Sequence, residues 1–149
     1  MARERATRAR HLAREMLVKA LYQWQIAGHS VQELKAQFLA AEDFERCDSD
    51  YFGELLTTIV DDAPELDKVI TRYAVRSIEQ LDAVGRAVLW LGIAELKHRP
   101  DVPTKVVINE AIELAKRYGT TDSHKFVNAL LDKSARELRR EPGVGETKS

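Results

Sequence analysis

The chain has 149 residues, of which 44% are hydrophobic and 32% charged, proportions of one globular domain that buries about two-thirds of its unfolded surface. Its single cysteine, Cys47, excludes an internal disulfide and any multi-cysteine metal site, and fits the reducing cytoplasm. A net charge of −1 argues by itself against a polyanion partner, but residues 1–14 hold five arginines against one acid, while residues 42–82 hold twelve acids against four bases.

Residues 1–6 are expected to fray until something anionic orders them, and with no apolar core behind them they are not expected to form a secretory signal. Thr7 can cap a helix that runs to about Ala27 and stops at Gly28. Its buried stripe is Ala13, Met16, Leu17, Ala20, Leu21 and Trp24. At 100° per residue, His11, Val18 and Tyr22 fall on the opposite face, flanked by Arg8, Glu15 and Lys19. A ring in line with basic residues is a stacking platform for a nucleobase, and a Tyr packed against a neighbouring helix is the competing reading.

Ser30 and Glu33 form a capping box that opens a short second helix with Val31, Leu34 and Phe38 inward. The acidic stretch AAEDFERCDSD lacks a period and reads as a loop. A third helix is expected from about Ser49 to Asp62, burying Phe52, Leu55, Leu56, Ile59 and Val60. Pro64 then breaks it and starts a fourth with Leu66, Val69, Ile70 and Tyr73 inward.

The segment DAVGRAVLWLGIAELKH, residues 82–98, organises the rest. Leu89, Trp90, Leu91, Ile93 and Ala94 point in every direction from a helix, so it must be surrounded by protein. Lipid is excluded because Arg86, Glu95 and Lys97 interrupt a run already shorter than the roughly 20 residues a bilayer needs. Ser77 or Asp82 caps it, Gly85 and Gly92 would admit a neighbouring backbone, and it must end before Pro100. A further helix runs from about Pro103 to Tyr118, with Gly119 as its left-handed stop. The last, capped within Thr120–Ser123, buries Val127, Leu130, Leu131 and Leu138, and Phe126 lies about 100° off that stripe. The tail EPGVGETKS is expected to be disordered. The whole reads as an all-α, single-domain bundle of about seven helices around a buried central one, with flexible ends at about 1–6 and 141–149.

No phosphate loop, nucleophile elbow or zincin spacing is present. His11, His29, His98 and His124 lack a second ligand at helical spacing, and Cys47 sits among acids that raise a thiol pKa. Neither an enzyme nor a cofactor or metal is therefore expected. Binding remains. A short basic arm beside aromatic rings suits single-stranded RNA better than duplex DNA, and arginines at a helix N-terminus oppose its dipole, a local conflict that points to function. A protein–protein adaptor with an incidental basic arm is the reading from another class.

The string VPTKVVINEAIELAKRYGTTDSHKFVNALL, residues 102–131, closely resembles the C-terminal signature of the bacterial antitermination factor family NusB. Arg8-Ala9-Arg10, the Ala20–Trp24 cluster, Tyr51-Phe52 and Ala94-Glu95-Leu96 running into Asp101-Val102-Pro103 are similar to the same family. The resemblance implies about seven helices in two packed halves. It also implies binding of boxA RNA in nascent transcripts together with a small-subunit ribosomal protein, NusE. That complex joins an assembly on RNA polymerase that promotes processive transcription of ribosomal RNA operons. Carried over position by position, Arg8, Arg10, Tyr22, Asp122 and Phe126 match the family residues implicated in RNA contact. The arm departs from the family by its interruption at Ala6-Thr7, where consecutive arginines are common. The acidic residues Glu65, Asp67, Glu79 and Asp82 are the candidate surface for the basic protein partner. Whether the free protein is a monomer or a homodimer stays open at this point. A third reading, the NusB-like appendage of RNA cytosine methyltransferases, would be expected to continue into a catalytic domain.

Overall fold

The structure, a computed structural model, describes residues 1–41, 44–75 and 78–140, and among these it contains helices and no strand. The order is α1 (Ala2–Ala27), α2 (Val31–Leu39), α3 (Ser49–Tyr73), α4 (Ala83–His98), α5 (Thr104–Tyr118) and α6 (Ser123–Arg139). Short 3₁₀ turns lie at Phe44–Arg46 and Ile78–Gln80. The all-α class is as expected, with six helices for about seven. The chain divides into two compact units, Met1–Asp62 and Ala63–Ser149, with residues of α3 in both.

In the first unit α1 begins at Ala2 rather than Thr7. The Arg5 N–H already donates to the Met1 carbonyl at 2.9 Å, and the sequence ARERA is rich in strong helix formers with no breaker before Thr7. At the other end Gly28 is left-handed, φ 72°, and its N–H reaches the Trp24 carbonyl at 3.1 Å. The stripe is buried as expected except for the half-buried Trp24, but Arg14, Glu15 and Val18 are buried too. More of the helix circumference is covered than one apolar stripe would require. Part of that cover comes from the start of α3, where the Asp48 N–H donates to the Ala9 carbonyl at 2.9 Å. The capping box of α2 is complete, with the Glu33 N–H donating to Ser30 Oγ at 3.1 Å and the Ser30 N–H to Glu33 Oε1 at 2.8 Å. Leu34 and Phe38 point inward, and Phe52 meets both Phe38 and Phe44 at ring-centroid distances of 5.6 and 5.8 Å. Burial, with Asp48 adding, pushes the Cys47 thiol up, so it is a poor nucleophile.

α3 is one helix where two were expected, because Pro64 lies inside it. A proline there removes one backbone donor and crowds the carbonyl four residues earlier, at a cost of about 3 kcal/mol. The apolar face runs through the proline without a phase break, burying Leu55, Leu56, Ile59, Ala63, Leu66 and Ile70. Pro64 itself is exposed, so the carbonyl deprived of its donor lies on the wet side of the helix. Burial of six core side chains outweighs one lost hydrogen bond.

In the second unit Asp82 caps α4, its Oδ1 accepting the Gly85 N–H at 2.7 Å, while Ser77 lies outside the described residues. Every residue from Ala87 to Leu96 is buried, including Glu95, and the helix packs against α5 and α6. Gly92 is needed for space as expected, but for a side chain rather than a backbone: a Cβ there would stand 2.8 Å from Leu131 Cδ1. α5 buries Val107, Ala111, Leu114 and Ala115 and leaves Ile108 and Ile112 half-buried. Its stop, Gly119, is extended (φ −91°, ψ −177°), not left-handed. α6 buries Val127, Leu130 and Leu131 with Ser134 and Ala135, and Leu138 is only half-buried. The tail from residue 141, where disorder is expected, lies outside the described residues.

Glu137 on α6 accepts from the Tyr73 hydroxyl at 2.5 Å and from Arg72 at 2.6 Å. The tyrosine hydrogen bond first, then the guanidinium, hold its carboxyl below the ordinary glutamate range. A depressed folded-state value contributes stability above the unfolded value, about 4.3, and loses it as pH falls through the folded one. Urea midpoints are therefore expected to drop more steeply on acidification below about pH 4.3 in the wild type than in Glu137→Gln.

Candidate nucleic-acid interface

The arginines before residue 15 are placed at different depths along α1. Arg3, Arg5 and Arg8 are exposed, and only the first two lie close enough to the helix start for its dipole to oppose them. The Arg10 guanidinium sits 4.1 Å from the centroid of the Tyr51 ring and 4.0 Å from the Asp48 carboxylate. Arg14, itself buried, approaches the same ring at 5.6 Å. Tyr51 is buried and its backbone N–H donates to Asp48 Oδ1 at 3.1 Å. One turn of chain at the start of α3 thus caps that helix and supplies both ring and carboxylate to the basic arm. Stacked on a ring, a guanidinium keeps its fork of donors in a fixed plane, the form in which it matches a phosphate.

Farther along α1, Tyr22 is 43% exposed. Lys19 and Arg8, both exposed, fall within the same arc of the helix. The acid on that face, Glu15, is buried and stands 3.3 Å from His11.

In the second unit Asp122 precedes α6 in a left-handed conformation, φ 73°, a region that Asp enters more readily than most residues. Its side chain makes no capping bond; it is exposed, 3.6 Å from Lys125 Nζ. A cap role for this carboxylate is thereby removed. Phe126 is half-buried and lines, together with Asp122, a cavity of about 380 Å³. Of the five expected RNA-contact residues, Arg8, Arg10 and Tyr22 belong to the first unit, and Asp122 and Phe126 are brought together in the second.

The model of the NusB family matches residues 11–136. The chain belongs to the NusB family. The transcription antitermination protein NusB of Alcanivorax borkumensis is 51% identical over 131 residues, 88% of this chain and 87% of that protein. The protein of the same name from Photorhabdus laumondii is 48% identical, across 89% of this chain and 96% of its own length. A solved structure of T. maritima NusB matches with a TM-score of 0.76 at 34% identity, covering 85% of this chain and 90% of that one. NusB relatives carry the name of a transcription antitermination protein, not of an enzyme. Tyr22, Asp122 and Phe126 fall inside the matched NusB segment, and Arg8 and Arg10 lie just ahead of it.

Among the described residues no group of His, Cys, Asp or Glu could hold a metal, and no helix is long and apolar enough to cross a membrane. The acidic candidates are largely committed elsewhere. Asp67 accepts from Arg86 at 2.7 Å and from the Trp90 indole at 2.8 Å, Glu65 pairs with Lys68 at 3.0 Å, and Asp82 caps α4. Asp67 ties α3 to α4. Sequence reasoning missed Tyr51 as the shelf for Arg10, 41 positions away, since no periodicity links the two.

Proposed function

We propose that the chain is an RNA-binding transcription antitermination factor. It binds the boxA element of nascent transcripts together with the ribosomal protein NusE, within the RNA polymerase antitermination complex, and promotes processive transcription of ribosomal RNA operons in the cytoplasm. Arg8 and Arg10 contact phosphate, Tyr22 and Phe126 stack on bases, and Asp122 accepts from a base amino group. The observation that carries this reading, beyond family membership, is Tyr22: a large ring left 43% exposed on a helix whose buried side is complete without it. With a net charge of −1 the protein alone binds RNA modestly. A cationic protein partner on the same transcript raises affinity, and the coupling between the two is reciprocal.

Binding to a boxA oligonucleotide, followed by gel shift with and without the ribosomal protein, is expected to fall with salt at a log–log slope of about −0.7 per phosphate contacted. Tyr22→Ala and Phe126→Ala are each expected to weaken binding by about 1–3 kcal/mol, the range for a lost stacking partner. Melting of Tyr22→Ala should stay close to wild type, since its ring is outside the core. Equal affinity for boxA and scrambled RNA, or binding indifferent to salt, would favour a protein–protein adaptor instead.

A further inference from the structure

The start of α3 is joined to the basic arm by main chain as well as by side chains. The Asp48 N–H donates to the Ala9 carbonyl at 2.9 Å, one residue before Arg10, which fixes the two segments in register. We propose that Tyr51 and Asp48 position Arg10 for an RNA phosphate: the ring sets the plane of the guanidinium, and the carboxylate stands in the phosphate's place until RNA displaces it. This rests on the RNA-binding reading above, which it deepens at one contact.

Burial separates the two arginines that share the ring. Tyr51 is 2% exposed and Arg14 3%, so neither reaches a strand of RNA from the interior. The Arg10 side chain is 33% exposed, with its guanidinium 4.1 Å from the ring centroid. That cation therefore rests on the ring and still meets solvent. Arg14, 5.6 Å from the same centroid, opposes any inward movement of Arg10 by its like charge.

Length separates the carboxylate from the ring. Asp48 Oδ2 stands 4.0 Å from Arg10 Nε, an ion pair too long to be a hydrogen bond, so it attracts the guanidinium without fixing its plane. Both partners are about one-third exposed. Pairs of this kind contribute little, and a phosphate displaces the carboxylate at small cost. The carboxylate itself stays in place, because its Oδ1 accepts the Tyr51 N–H at 3.1 Å. An arginine already ordered on a ring loses less side-chain freedom on binding than one free in solvent. Arg3, Arg5 and Arg8, all exposed ahead of this turn, supply charge to the arm. Arg10 supplies the fixed point from which the strand takes its register.

The test is fluorescence anisotropy with a boxA oligonucleotide across a salt series. Tyr51→Leu is expected to weaken binding about fivefold and to flatten the log–log salt slope by about 0.7, the loss of one phosphate contact. Tyr51→Phe keeps the ring and should restore both. The slope belongs to the folded molecules, so it is read even where Tyr51→Leu lowers stability. Arg10→Ala should cost affinity in the wild-type background and nothing further in Tyr51→Leu, since the ring acts through Arg10. Arg10→Lys, a change on the part-exposed side of the helix, keeps the charge without the planar fork and should bind about threefold more weakly. Asp48→Asn keeps a good helix cap and removes the competing charge, so it should bind about threefold more tightly. A wild-type slope in Tyr51→Leu, an equal loss from Arg10→Ala in both backgrounds, or wild-type affinity in Arg10→Lys would overturn the shelf while leaving RNA binding in place. Weaker binding by Asp48→Asn would overturn the part given to the carboxylate. Wild-type protein that does not bind the oligonucleotide would overturn the shelf and the RNA-binding reading together.

Discussion

Arg139→Ala is expected to lower stability by about 3 kcal/mol and the melting temperature by about 10 °C, more than any surface substitution in the chain. The Arg139 guanidinium donates to the carbonyls of Glu95 at 3.0 Å, Leu96 at 3.0 Å, Arg99 at 2.9 Å and Val102 at 2.5 Å, and to Thr104 Oγ1 at 3.2 Å. A helix end leaves its last carbonyls without intrahelical donors, and α4 meets this in a part-buried place, where Glu95 and Leu96 are buried and Arg99 is half-buried. One side chain in the last turn of α6 answers the end of α4, the turn after it and the start of α5 together. Removing it strands several acceptors, each worth about 1–3 kcal/mol when desolvated, and the non-additivity of neighbours keeps the total near one or two of them. Arg139→Lys is expected to recover less than half of the loss. An ammonium carries three donors on a point charge, whereas the guanidinium carries five in a plane. Chemical denaturation of the three proteins checks both statements; a wild-type midpoint in Arg139→Lys would show that charge, not the fork, matters.

Legibility in the sequence followed how local the cause was. α4 is readable because the residues from Ala87 to Ala94 are apolar without a break and leave no polar side, a pattern that only a surrounded helix produces. Pro64 misleads because the local rule against a helix-interior proline is right in sign and is outweighed by burial spread along α3, visible only once α3 is folded. At the start of α1 the error runs the other way: a polar residue suited to capping, Thr7, is passed over because nothing before it resists the helix. Gly119 is legible as a stop, but its reason is not. The site divides in the same manner. Tyr22 and Phe126 announce themselves as rings out of phase with their stripes, a property of one helix each. Val18 and Glu15 share the face of Tyr22 yet are buried, because cover by a neighbouring element is not written in the phase of α1. The shelf under Arg10 and the cavity beside Phe126 join residues remote in sequence, so only their endpoints could be guessed.

Gly119→Ala is expected to destabilise by about 2–3 kcal/mol, on the scale of overpacking a closed site, and Gly119→Asn by as much or more. The two substitutions separate the two reasons for a glycine. A left-handed stop would be spoiled by Ala and tolerated by Asn, which enters that region readily. The observed φ of −91° is open to any residue, and what forbids a side chain is space: a Cβ would lie 2.7 Å from the Ala115 carbonyl oxygen and 2.5 Å from Ser123 Oγ. The first of these is backbone and cannot turn aside. Ser123→Gly should therefore relieve only part of the Gly119→Ala defect, a coupling that a double-mutant cycle in urea measures. Position 119 also lies three residues before Asp122, in the short connection that sets the left-handed turn and the start of α6. Strain there is expected to weaken boxA binding beyond what the unfolded fraction explains. Arg139→Ala, at the opposite end of α6, should weaken it only through stability. If both variants lose RNA affinity in proportion to unfolding alone, the α5–α6 connection holds up the fold and does nothing for the ligand.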